Sequence, residues 1–105
     1  MMQIRSLTPD DRAVWGELFG DYAAFYKTTV PDGGFDRVWT WIFDADNDFW
    51  CDVVGDEAGR IAGFVQYQLM HRSLSGAMVC YLSDLYIRPE CRTGPRHSQR
   101  ITKAW

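Results

Sequence analysis

The stretch Tyr81-Leu82-Ser83-Asp84-Leu85-Tyr86-Ile87-Arg88-Pro89-Glu90 decides how the rest of the chain is read. Its first part belongs to an apolar run from Met78 to Ile87 that predicts a β-strand. Alternation places Val79, Tyr81, Ser83, Leu85 and Ile87 on one face. Cys80, Leu82, Asp84 and Tyr86 fall on the other. Working back, His71 to Ala77 is a polar turn, and Arg60 to Met70 is a longer strand. Gly63 inside that strand signals a bulge or a close backbone approach. Gly55-Asp56-Glu57-Ala58-Gly59 is a glycine-containing hairpin loop, preceded by an apolar, β-branched strand from Phe49 to Val54. The three strands form a meander.

The N-terminal half has a different period. Gln3 to Leu7 is a short strand. Thr8-Pro9-Asp10-Asp11 then reads as a helix start: a hydroxyl to cap a backbone N–H, a proline suited to the first helical position, and acids at the positive end of the dipole. Val14, Trp15, Leu18, Phe19, Tyr22, Phe25 and Tyr26 recur at spacings of three and four, which predicts a helix from about Pro9 to Tyr26. Val30-Pro31-Asp32-Gly33-Gly34 is a loop by its turn chemistry. A second helix is expected from Phe35 to about Phe43, with Val38, Trp39, Ile42 and Phe43 as its apolar positions. Asp44-Ala45-Asp46-Asn47-Asp48 lacks the glycine and distal glutamate of a calcium loop.

This order, strand, two helices and three antiparallel strands, together with Leu85-Tyr86-Ile87-Arg88-Pro89-Glu90, resembles the N-terminal half of the GNAT superfamily of N-acetyltransferases. The resemblance covers residues 3 to about 92 and implies an α+β fold, an antiparallel sheet with two N-terminal helices. It further implies that backbone groups of Leu85, Tyr86 and Ile87 bind the pantetheine arm of acetyl-CoA, one N–H serving as oxyanion donor. The family's phosphate-binding turn, Gln/Arg-x-x-Gly-x-Gly/Ala, is matched at its first position by Arg92. Pro95 and His97 stand where its small residues belong. The expectation is therefore an incomplete GNAT (acyl-CoA N-acyltransferase) fold. Residues 1–91 form its N-terminal half, and 92–105 form an aberrant basic tail left by a frameshift or premature end.

On the acceptor side, Tyr81-Leu82-Ser83-Asp84-Leu85 resembles the equivalent stretch of di- and polyamine acetyltransferases, with Ser83 in place of one acid of a pair. Asp84 either accepts a proton from the amine through water or is a structural strand residue. Tyr22 and Tyr26 either line the acceptor site or pack in the core. The implied activity is transfer of an acetyl group from acetyl-CoA to a primary amine of a small molecule, by direct attack on the thioester. The alternative is a non-catalytic fragment that self-associates, as a homodimer, through an exposed sheet.

Composition is consistent with these readings. The chain has 105 residues, 47% hydrophobic and 24% charged, enough for one domain. Residues 1–91 hold all 14 acids against 7 of the 11 basic side chains, a net −7, whereas 92–105 hold Arg92, Arg96, Arg100 and Lys103 and no acid. An acidic body argues against nucleic acid and suits a cationic substrate. Cys51, Cys80 and Cys91 are odd in number and form no CxxC, so neither a disulfide framework nor a metal site is expected. The start lacks a signal-peptide core and no run is long enough to span a bilayer, which suits a cytoplasmic protein without membrane partners.

Overall fold

The computed structural model describes residues 3–92. The order is β1 (Gln3–Ser6), a 3-10 turn (Pro9–Asp11), α1 (Arg12–Phe25), α2 (Gly34–Phe43), β2 (Phe49–Gly55), β3 (Ile61–Arg72), β4 (Ala77–Ile87) and a second 3-10 turn (Pro89–Cys91). The strands form one antiparallel sheet in the order β1-β2-β3-β4. The α+β expectation holds, and every element falls within two or three residues of its predicted span. The basic tail and the phosphate-turn positions Pro95 and His97 lie outside the described residues.

Local chemistry explains the starts and bends. Asp11 accepts from the Thr8 N–H at 2.8 Å and the Thr8 hydroxyl at 3.0 Å, so the acid does the capping expected of the threonine. The same carboxylate takes a bidentate fork from Arg5, at 2.8 and 3.1 Å, tying β1 to the start of α1. A Cβ on Gly63 would run into the Tyr86 carbonyl, so the close approach read from the sequence is real. An irregularity between β2 and β3 sits beside it, because Val54 pairs Gly63 while Gly55 pairs Ile61.

One face of the sheet is covered by the helices. Trp15, Leu18, Phe64 and Val53 are fully buried there, with Phe19, Tyr22, Phe35, Val38, Trp39 and Ile42 packed around them. Aromatic rings fill much of this layer. Trp15 stacks on Phe19 at 5.2 Å, and Phe64 meets Tyr22 edge-on at 5.6 Å. The two helices are pinned together by Arg12, which lies over Trp15 and Trp39 and pairs with Asp36 at 2.9 Å. Phe25 and Tyr26, expected on the apolar stripe of α1, end it exposed. No helix of the described residues is long and apolar enough to cross a membrane.

The faces of β4 differ from strict alternation. Gln66 pairs Asp84, but Tyr67 pairs Leu82, so Ser83 is an extra residue in β4. The bulge flips everything before it. Val79 and Tyr81 therefore share the helix-covered face with Asp84 and Tyr86, while Cys80 and Leu82 join Leu85 and Ile87 behind the sheet. The predicted faces are correct for residues 84–87 and inverted for 79–82.

Candidate functional site

Beside the bulge an acid stands among aromatic rings. Gln66, fully buried, faces α1 across from Asp84. Its Oε1 accepts from the Trp15 indole N–H at 2.9 Å, and its amide N–H donates to Asp84 Oδ2 at 2.8 Å. An indole nitrogen can only donate, so it dictates which end of the amide faces it and which end faces the acid. Asp84 is thereby held by a donor that is itself clamped in the core. One position along, Gln68 donates to the Ser83 hydroxyl at 2.8 Å and steadies the bulge.

Tyr22 of α1 lies on the same side. Burial, then hydrogen bonding to Asp84 and the negative charge there, push its hydroxyl well above the usual tyrosine value. It remains a protonated donor at neutral pH. Its ring meets Tyr26 at 5.1 Å and Tyr86 at 6.2 Å. Tyr22, Tyr26 and Asp84 line a cavity of about 400 Å³, closed by Phe19, the 28–31 loop and Arg37, Val38 and Trp41 of α2. The structure thus brings together the three residues named for the acceptor side. Tyr22 both packs on Phe64 and borders the cavity, while Tyr26 is exposed.

The backbone of β4 presents a second surface. Arg88 donates its N–H to Ala62 of β3 at 2.8 Å. In an antiparallel ladder the bonded pairs alternate, so Tyr86 and Asp84 also turn their backbone groups toward β3. Leu85 and Ile87 turn theirs outward, and β4 is the edge strand among the described residues. The Ile87 carbonyl confirms the direction, because it accepts Arg92 Nε at 2.8 Å. Of the three strand residues read as binding the pantetheine arm, two turn backbone groups away from β3. Tyr86 instead offers its ring, buried against Phe64 and Tyr22. The Arg92 guanidinium lies 5.5 Å from the Tyr86 ring and 5.6 Å from that of Phe25. Arg88 anchors the end of the strand to Glu17 of α1 at 3.0 Å.

Gln66, Arg37 and Trp41 were not singled out by the sequence reading. Gln66 carried a usable signal: a lone amide inside the apolar run Ile61–Tyr67, two residues from Phe64 and hence on its face. Arg37 and Trp41 carried none, since their relation to Asp84 depends on how α2 lies against the sheet. Among the described residues no group of three or more His, Cys, Asp or Glu is arranged to hold a metal ion.

This architecture is the GNAT acetyltransferase fold. The chain superposes on a ribosomal-protein-alanine N-acetyltransferase from Brucella melitensis (TM-score 0.73, 15% identity, 99% of this chain and 68% of that one). It also matches a GNAT family acetyltransferase from Staphylococcus aureus (0.72, 14%, 98% and 73%) and a glucosamine-6-phosphate N-acetyltransferase from Arabidopsis thaliana (0.64, 19%, 99% and 71%). In sequence it is 27% identical over 90 residues to the D-amino-acid N-acetyltransferase HPA3 of Saccharomyces cerevisiae, a match spanning 85% of this chain and 56% of that protein. The chain thus spans little more than half the length of that curated relative. No family model matches it. The solved structures show that the chain shares the GNAT acetyltransferase fold over about two thirds of their length.

Proposed function

We propose that this chain carries the acceptor side and the strand side of an N-acetyltransferase site, and that the reaction moves an acetyl group from acetyl-CoA to a primary amine of a small molecule. The observation that carries the reading is the placement of Asp84, fixed by Gln66 at an aromatic cavity, one residue before the outward-facing Leu85. Acetyl-CoA supplies an activated thioester. The outward N–H groups of Leu85 and Ile87 are suited to run along its pantetheine arm. One of them donates to the carbonyl oxygen as it gains charge. Asp84 attracts the acceptor ammonium and takes its proton, directly or through a water, so that the free amine attacks the carbonyl carbon. The carbon–sulfur bond breaks, the attacking nitrogen gives up its extra proton, and the departing sulfur takes up a proton through solvent, so that CoA leaves as the thiol. The yeast relative is named for acetylating D-amino acids, whose reacting group is an amine. A cytoplasmic setting belongs to the same proposal and is supported by three free thiols.

The test is a titration of the 15N-labelled protein with acetyl-CoA. Leu85 and Ile87 amide signals are expected to move strongly and the Tyr86 amide, which faces β3, much less. Unchanged Leu85 and Ile87 signals at millimolar acetyl-CoA would remove the proposal.

A further inference from the structure

The cavity beside Asp84 has a second charge that the acetyl-transfer reading does not use. Arg37, on α2, lines the same space. The other arginines around the core are engaged. Arg5 pairs with Asp11, Arg12 with Asp36, Arg60 with Asp56 and Arg88 with Glu17, and Arg92 is held by Ile87 and two rings. Arg37 forms no ion pair among the described residues, and its guanidinium curls back toward Gly33 at the start of its own helix. Apart from this cation and the Asp84 anion the lining is mostly apolar, with Phe19, Val38 and Trp41 and the rings of Tyr22 and Tyr26.

We infer that Arg37 is a carboxylate subsite, and that the acceptor is an amine carrying both an anionic group and an apolar body, such as an aromatic amino acid. The inference rests on the acetyl-transfer reading for the role of Asp84 and adds the class of acceptor. The physical grounds are charge and polarity. A small ligand entering this cavity must satisfy one negative and one positive side chain while covering aromatic surface. A zwitterion with an apolar side chain does all three. A guanidinium presents a planar fork matched to a carboxylate, which makes Arg37 a better anion reader than a point charge would be. A polyamine, with several cations and no anion, would meet one carboxylate and a like-charged arginine in the same lining. Like-charge opposition of that kind is how a site rejects a competitor.

The experiment compares phenylalanine, phenethylamine, which lacks only the carboxylate, and spermidine as acceptors with saturating acetyl-CoA. It uses the wild-type chain, Arg37→Gln and Arg37→Glu. Arg37 is exposed, so neither substitution disturbs the core. In the wild type phenylalanine is expected to have the highest kcat/KM. In Arg37→Gln the ratio of phenylalanine to phenethylamine falls about tenfold, the lower end of what a bond between charged groups supplies at an exposed site. In Arg37→Glu the order inverts in favour of spermidine. A phenylalanine-to-phenethylamine ratio that is the same in all three proteins overturns the subsite and leaves acetyl transfer standing. Absence of transfer to any of the three amines overturns acetyl transfer itself. Calorimetric titration with phenylalanine and phenethylamine then reads the subsite alone. Preferential binding of phenylalanine that is lost in Arg37→Gln sustains it, and equal binding of the two ligands overturns it.

Discussion

The two halves of the β3–β4 hairpin share one ladder and behave as different materials. Near the helices, Ala62 to Gln66 are buried, and Gly63 to Gln66 pair in turn with Ile87, Tyr86, Leu85 and Asp84. Beyond the bulge, Leu69, Met70, Leu74, Met78 and Tyr81 are exposed, although the strands there pair as regularly. The difference is cover, not pairing. The inner half lies under Trp15, Phe19 and Tyr22, while the apolar side chains of the outer half stay open to solvent. Ser83 sits at the border, and the bulge it makes ends the regular alternation that places Asp84 at the cavity. The hairpin teaches that the same backbone hydrogen bonds anchor a site only where side-chain packing removes their freedom.

Substitutions should sort by half. The largest loss is expected for Gly63→Ala. Its Cβ meets backbone rather than a movable side chain, so the inner ladder must shift, at a cost of about 3 kcal/mol in chemical denaturation. Gln66→Leu should come close behind. It strands the buried Trp15 N–H and removes the donor to Asp84, and a loss of about 2–3 kcal/mol is expected from unmet buried groups. A Gln66→Leu protein as stable as the wild type would mean that the relay is ornamental.

Acid should act at the other edge of the covered region. Asp11 is only 7% exposed, and the Arg5 fork holds its carboxyl down at about 2. A folded value below the unfolded one means that the stabilisation is complete above about pH 4 and is lost as pH falls toward 2. Because half of Arg5 is exposed, solvent screening limits the effect to about 1–2 kcal/mol. Denaturation midpoints between pH 5 and pH 2 should fall less in Asp11→Asn than in the wild type. Equal acid sensitivity of the two proteins would remove the assignment. The smallest effects belong to the outer half, where Leu74→Ser and Met78→Lys should change stability by no more than about 0.5 kcal/mol. A larger loss at either position would show that the outer half is covered by something in solution.

The same division explains what could be read from the residues alone. Strand and helix periods are local, so Phe49–Val54, Arg60–Met70 and the stripe from Val14 to Tyr22 announced themselves in composition and spacing. Gly63 announced its close approach because no other residue would be placed there. The bulge was hidden. Ser83 and Asp84 are both small and polar, and alternation alone cannot say which of them is the inserted residue. That single step inverted the predicted faces of Val79 to Leu82. Tyr22, Tyr26 and Asp84 were legible one by one from helix phase and strand position. Their meeting with Arg37 and Trp41 was not, because it depends on how two helices lie across a sheet. Leu85 and Ile87 separate from Tyr86 only once the ladder fixes which backbone groups face β3.

In the proposed reaction everything turns on Asp84 acting on the acceptor amine. The most direct measurement is amine-dependent release of CoA thiol from acetyl-CoA, run side by side for the wild type and Asp84→Asn. The isosteric amide keeps the shape that packs beside Gln66 and removes the charge and the proton acceptor. Amine-dependent release by the wild type is expected, with a fall in kcat of about a hundredfold in the variant and thermal unfolding little changed. Equal rates from the two proteins, or release that does not depend on the amine, would contradict that role for Asp84.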